Sequence, residues 1–299
     1  MMKLSHESKV RLGVGIGAFV LIIGLVFGTS RLLAHSDTVR TTGILSGNLS
    51  DFDDMFDDDD LLGSGNYSAR PQQLSSETFD ADAFTSLDLD VTSGTVEVKH
   101  VSGGPVRVIE SGRVAKGTSA SDAVTRNLAE VKGSTLKISQ FDYDDKRAID
   151  RTITIELPRD VADSLVGITA NVGSGDLAVA DIVCHDLDIT LNSGDVEFTG
   201  TVTDTLNAKV GSGDMTFELY QAPAKSMDVS VGSGDVEMTV PNSTGFKASL
   251  TLGSGDFESD FLPLGYDGET ILNLEFDNGD KSATYRFEIG SGDMSFDSE

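Results

Sequence analysis

Six aspartates in this chain stand behind the same two residues. Ser-Gly-Asp occurs at Ser174-Gly175-Asp176, Ser193-Gly194-Asp195, Ser212-Gly213-Asp214, Ser233-Gly234-Asp235, Ser254-Gly255-Asp256 and Ser291-Gly292-Asp293. The glycines of the first five copies are 19, 19, 21 and 21 residues apart. Carboxylates at a fixed period can gather divalent cations if the fold aligns them, and calcium or magnesium would be held weakly. They can equally cap backbone N–H groups at a turn, as can serine. The central residue, at Gly175, Gly194, Gly213, Gly234, Gly255 and Gly292, suits a corner. Glycine adopts positive φ without penalty and lets a neighbouring chain come close.

The flanks of each copy show what must position these residues. Upstream stand Leu187-x-Ile189-x-Leu191, Leu206-x-Ala208-x-Val210, Met227-x-Val229-x-Val231 and Ala248-x-Leu250-x-Leu252. Downstream stand Leu177-x-Val179, Val196-x-Phe198, Met215-x-Phe217 and Val236-x-Met238. A period of two with polar residues between means strands with one apolar face. A fixed corner opposite a variable one suits stacked coils better than hairpins, although a meander or propeller blade is the alternative. Stacking at about 4.8 Å would line up Asp176, Asp195, Asp214, Asp235 and Asp256 as a column. Neighbouring unit charges at that spacing repel by about 0.9 kcal/mol in water. The period is not that of the nonapeptide calcium repeat.

Residues 79–160 add Leu87-x-Leu89-x-Val91, Val96-x-Val98, Val106-x-Val108, Leu136-x-Ile138 and Ile153-x-Ile155-x-Leu157. Ala120, Ala123, Val124, Leu128 and Val131 follow helical spacing, with Ser119 and Asp122 placed to cap. That pattern predicts one helix closing an end of the stack, where bare strand edges would be a hazard. Thr270–Phe276 and Ala283–Ile289 flank Asp277-Asn278-Gly279-Asp280, which predicts a hairpin leading into the last Ser-Gly-Asp. The expected fold is therefore all-β. It is a parallel β-solenoid, or β-helix, of roughly 20-residue coils with one capping helix and a C-terminal hairpin.

The chain has 299 residues and a formal net charge of −27. Residues 1–31 hold Lys3, Lys9, Arg11 and Arg31 against Glu7, a net +3, which leaves −30 on the rest. So negative a surface repels nucleic acid and attracts cations or basic peptides; plain solubility would also account for it. The single cysteine, Cys184, excludes an internal disulfide and reads as a small buried residue. Residues 12–28 carry no charge, and with Thr29 and Ser30 they are long enough for one membrane-spanning helix. The preceding Lys9 and Arg11 would keep the N-terminus cytoplasmic. A cleaved signal peptide is the rival, but no good cleavage site follows. Seven aspartates fall between Asp51 and Asp60. They suit a solvated spacer, or an acidic-aromatic docking motif with Phe52, Met55 and Phe56. The organisation expected is a cytoplasmic tail at 1–11, a signal-anchor helix at 12–30, an acidic extracytoplasmic linker at 31–78 and the β-solenoid at 79–299.

Thr152-Ile-Thr-Ile-Glu-Leu-Pro158 opens a series that continues through Val172-Gly-Ser-Gly-Asp-Leu177, Leu191-Asn-Ser-Gly-Asp-Val196, Val210-Gly-Ser-Gly-Asp-Met215 and Val231-Gly-Ser-Gly-Asp-Val236. Asn278-Gly-Asp280 and Ile289-Gly-Ser-Gly-Asp293 close it. In order and number these segments resemble the bacterial "putative adhesin" family, a domain of unknown function, over about residues 80–297. The resemblance implies a β-solenoid of the cell envelope, sometimes tied to envelope-stress responses, with no catalytic residues to carry over.

Three functions fit these features. The first is a membrane-anchored, surface-exposed, non-catalytic interaction module that binds an envelope protein, a wall polymer or a cationic peptide. The second is a β-helix enzyme on acidic cell-surface polysaccharide. That chemistry needs an arginine base, and residues 160–285 contain no arginine. The third is a purely structural envelope protein. His100 and His185 read as surface residues.

Overall fold

The computed structural model describes residues 66–139, 146–262 and 273–299. The expected tail, the 12–30 segment and the acidic run Asp51–Asp60 lie outside these residues. Among the described residues no helix is long and apolar enough to cross a membrane.

The described chain is all-β, as alternation requires. Its strands are β1 (Gln72–Phe79), β2 (Ser86–Val91), β3 (Thr95–Val101), β4 (Val106–Val114), β5 (Ala129–Lys132), β6 (Thr135–Ile138), β7 (Ala148–Pro158), β8 (Leu165–Val172) and β9 (Asp176–Leu191). They continue as β10 (Val196–Val210), β11 (Met215–Gln221), β12 (Ser226–Val231), β13 (Val236–Val240), β14 (Phe246–Leu252), β15 (Phe257–Ser259), β16 (Asn273–Asn278), β17 (Ala283–Ile289) and β18 (Met294–Ser298). Strand β1 pairs antiparallel with β4, so residues 72–78, which read as linker in the sequence, belong to the folded domain.

Two ladders run through the molecule. One holds the strands before each corner: β6, β2, β8, the second half of β9, the second half of β10, β12, β17 and β14, all parallel, with β5 and β16 antiparallel at its ends. The other holds the strands after each corner: β7, β3, the first half of β9, the first half of β10, β11, β13, β18 and β15, again parallel. Strands β4 and β1 extend its first end in antiparallel fashion. The alternate residues meet in one core that includes Leu177, Val179, Val196, Phe198, Met215, Phe217, Val236 and Met238. Burying a side chain of the size of Phe198 contributes about 2–3 kcal/mol. Cys184 lies in this core, and burial, then the nearby Asp186, pushes its thiol up to about 12.

The helix predicted over 120–131 is absent. Ser119 does cap, accepting from the Asp122 N–H at 3.3 Å, but the turn it caps is a 3₁₀ turn of three residues, Ala120–Asp122. Asn127 then has φ 54°, a left-handed value that no helix can pass through. Residues 129–132 pair as β5 with β6 around Gly133 (φ 62°). Tertiary contacts override the spacing: Leu128 is fully buried in the main core, while Ala123 packs with Leu74, Val114 and Ala148. Among the described residues the one α-helix is α1, Arg159–Ala162, after Pro158.

The C-terminal hairpin is also corrected. Both strands form, but β14 lies between them, antiparallel to β16 and parallel to β17. The chain therefore crosses over the start of β14 at residues 279–282. Gly245 eases the crossing: a Cβ there would stand 3.1 Å from the Asp280 backbone nitrogen and would push the Asp280 carboxylate aside. The reward is aromatic. Strands β17 and β18 deliver Tyr285 and Phe296 against Phe246, which stacks on Tyr285 at 4.9 Å, and Phe287 packs on Phe296 in turn. The buried Tyr285 hydroxyl donates to the Pro223 carbonyl at 2.8 Å.

Candidate functional site

Each Ser-Gly-Asp lies at the corner between the two ladders, and the corners stack. The order along the stack is Gly94, Gly175, Gly194, Gly213, Gly234, Gly292 and then Gly255. A Cβ on any of the last five would overlap the carbonyl oxygen of the glycine before it. Of the seven, Gly94 alone is left-handed (φ 79°). The repeated glycine is thus needed for close approach, not for positive φ.

The flanking residues fasten one corner to the next. The hydroxyls of Ser174, Ser193 and Ser212 donate to the carbonyls of Thr92, Gly173 and Asn192 at 3.0, 3.2 and 3.1 Å. Serine therefore serves carbonyls rather than capping N–H groups. Aspartate does cap. The Oδ1 atoms of Asp176, Asp195, Asp214, Asp235 and Asp293 accept the backbone N–H of Asp195, Asp214, Asp235, Asp293 and Asp256 in turn, at 3.3, 3.4, 3.1, 2.9 and 2.8 Å. The column has six members, with Asp293 between Asp235 and Asp256. Sequence order had placed Asp256 directly after Asp235. The signal for Asp293 was its identical motif, and only the strand crossing shows where it goes.

With Oδ1 engaged in this way, the column carboxylates serve the backbone. Among the described residues no group of three or more His, Cys, Asp or Glu side chains is arranged to hold a metal ion.

The column is strained electrostatically. Burial raises the carboxyls of Asp176 and Asp235 above their ordinary values, and neighbouring aspartates add to this against the backbone hydrogen bonds. A raised folded-state value means stability that is full at low pH and lost as pH rises through it. Asp235→Asn keeps an acceptor for the Asp293 N–H and removes one charge. It is expected to stabilise by about 1 kcal/mol at pH 7, roughly 2–4 °C in melting temperature. The gain should vanish near pH 3, where the carboxyls are protonated. Thermal melts at both pH values check this.

Residues 73–297 match the family model described as Toastrack DUF4097. The chain belongs to that family. No curated protein matches it. Among solved structures, the Toastrack domain is similar to a "putative cell adhesion protein" from Clostridium sporogenes at 15% identity and TM-score 0.47, covering 77% of this chain and 100% of that one. A "putative adhesin" from Bacteroides fragilis is 15% identical, with TM-score 0.36 and coverage of 77% and 98%. A "putative lipid binding protein" from Parabacteroides distasonis is 12% identical, with TM-score 0.40 and coverage of 78% and 98%.

At the opposite corner the Toastrack domain gathers side chains that sequence reading left scattered. Arg159 Nη1 donates to His100 Nε2 at 3.3 Å, so the ring proton sits on Nδ1, 4.0 Å from Asp181 Oδ2. The Tyr220 hydroxyl donates to Asp181 Oδ1 at 2.9 Å, and burial, then Asp181, pushes it up to about 12. Asp181 has φ 55°. These contacts tie α1 and β3 to the turn of β9.

Proposed function

We propose that this chain is a membrane-anchored, surface-exposed, non-catalytic interaction module of the bacterial envelope, whose partner is a polycation such as a basic peptide. The observation that carries this reading is a difference between the two outer faces. The ladder after the corners, from β9 to β15, presents Asp176, Asp195, Glu197, Asp214, Glu218, Asp235, Glu237, Asp293, Asp297, Asp256 and Glu258. Residues 176–180, 195–200, 214–219, 235–240, 256–259 and 293–298 contain no Lys, Arg or His. The other ladder mixes signs: Lys209, Lys247 and Arg286 stand among Asp186, Asp188 and Asp228, with Arg286 Nη1 3.5 Å from Asp228.

The acidic face is a parallel array of roughly 4.8 Å pitch. Its field adds over neighbouring charges and steers cations. Burial, then Glu218, raises the Glu197 carboxyl, and Oε2 of Glu197 and of Glu237 is buried without a partner. A partner's ammonium groups over this face would offset the mutual repulsion of Glu197 and Glu218. The charge-free run at 12–30 supports the anchor, the acidic linker supports projection from the bilayer, and adhesion or an envelope-stress response is the setting.

The test is binding of a fluorescent decalysine to the full-length chain by anisotropy. Binding is expected at low ionic strength and should weaken steeply with salt. No binding at low salt would refute the reading.

A further inference from the structure

The last coil reaches its place against the order of the chain. The coils at Ser174, Ser193, Ser212 and Ser233 stack in sequence order. Strands β12–β13 are then followed in the chain by β14–β15, through residues 241–245. Yet β17 lies between β12 and β14, and β18 between β13 and β15. Two consecutive coils are thus held one coil apart, and the chain's own C-terminus fills the slot.

The slot recognises backbone. Below the inserted coil, the N–H groups of Gly290 and Ser291 donate to Val231 and Gly232 at 2.8 Å, and Val236 N–H donates to the Asp293 carbonyl at 2.9 Å. Above it, Gly253 and Ser254 donate to Ile289 and Gly290 at 2.7 Å, and Met294 N–H donates to the Asp256 carbonyl at 2.9 Å. Gly292 rests on the Gly234 carbonyl and supports Gly255 in turn. None of these contacts depends on the coil belonging to the same molecule. The link that makes it intramolecular is residues 279–282, where Gly279 has φ 55° and Lys281 has φ 58°. Short, strained hinges favour exchange of an element between copies.

We propose that the slot between β12–β13 and β14–β15 accepts the C-terminal coil, residues 283–298, of a second copy, so that the chain self-associates by exchanging this coil. The exchange keeps every ladder hydrogen bond and alters only the hinge.

Two single variants of the full-length chain test it. Ser230 and Glu288 are register partners on β12 and β17, and both reach solvent. Ser230→Cys and Glu288→Cys chains are unfolded together, refolded at high concentration and treated with a short bis-maleimide. Cys184 is buried and stays out of reach of the reagent. A covalent dimer is expected from the mixture and not from either variant alone. A mixture that refolds by circular dichroism yet yields no more dimer than the single variants would overturn the proposal.

Deleting Asp280–Ser282 gives the second arm. The crossing spans two strand spacings, about 9.6 Å. The two remaining Cα–Cα links reach at most about 7.6 Å. Light scattering should show a doubled mass; a folded monomer, or a chain unable to fold at high concentration, would overturn it.

Discussion

Gly213→Ala is expected to lower the melting temperature by on the order of 10 °C, a loss of about 3 kcal/mol. A Cβ at this position overlaps the Gly194 carbonyl oxygen and also crowds the Leu191 side chain. A side chain could turn aside, but this carbonyl cannot. It belongs to a corner whose N–H and C=O groups are committed to the coils on both sides, including Val196 N–H to the Asp214 carbonyl at 2.9 Å. The coils must separate locally, and in a stack each depends on its neighbours. Gly213→Asn should be no better than alanine, because the backbone here is not left-handed. Gly103→Ala is the control: nothing lies within 4 Å of the added methyl, and its melt should match the parent. Thermal unfolding followed by circular dichroism decides. A Gly213→Ala melt within a degree of the parent would mean that the corners are not in contact.

Arg151→Leu is expected to cost about 3–5 kcal/mol, because it strands a buried carboxylate. Glu110 on β4 is fully buried, and the Arg151 guanidinium on β7 donates to its Oε1. Thr125 adds its backbone N–H to Oε2 at 2.9 Å and its hydroxyl to Oε1. The pair therefore does more than join two strands. It pins the segment after the 3₁₀ turn and pulls residues 123–128 away from a helical path. The double variant Glu110→Met/Arg151→Met, which removes both charges, should recover most of the loss. Denaturant melts of the two variants check this. Equal destabilisation in both would show that packing, not the charge, is what matters.

What could be read from the sequence, and what could not, follows from the range of the interactions. Period-two alternation is local, so the strands of every Ser-Gly-Asp coil were legible, as was Cys184 as a core residue. The corner role of the glycines was legible too, and of the two reasons read for it close approach holds while positive φ does not. Positive φ is a property of one residue, whereas the overlap of Gly213 with Gly194 depends on the coil beneath. The helix over 120–131 failed because Leu128 and Ala123 owe their burial to two separate clusters, a division that no local spacing reveals. The hairpin failed for a related reason. Asn278-Gly279 does turn the chain, but β14, more than twenty residues earlier, occupies the place beside β16 where β17 would have paired. Asp293 was consequently left out of the column, although it lies between Asp235 and Asp256. His100 read as a surface residue because Arg159 and Asp181 reach it only across the turns of the stack, with Tyr220 bonded to Asp181 in turn.

The acidic face is where fold and function meet, and one comparison tests it most directly. Decalysine affinity is measured at low ionic strength for Asp195→Asn/Glu197→Gln/Glu237→Gln on the ladder after the corners and for Asp186→Asn/Asp188→Asn/Asp228→Asn on the other. Both triple variants change net charge equally. The first should weaken binding about tenfold or more, roughly 1.4 kcal/mol, and the second by less than about twofold. Equal losses from the two faces would contradict the account, since binding would then follow the net charge of the chain and not the array its corners build.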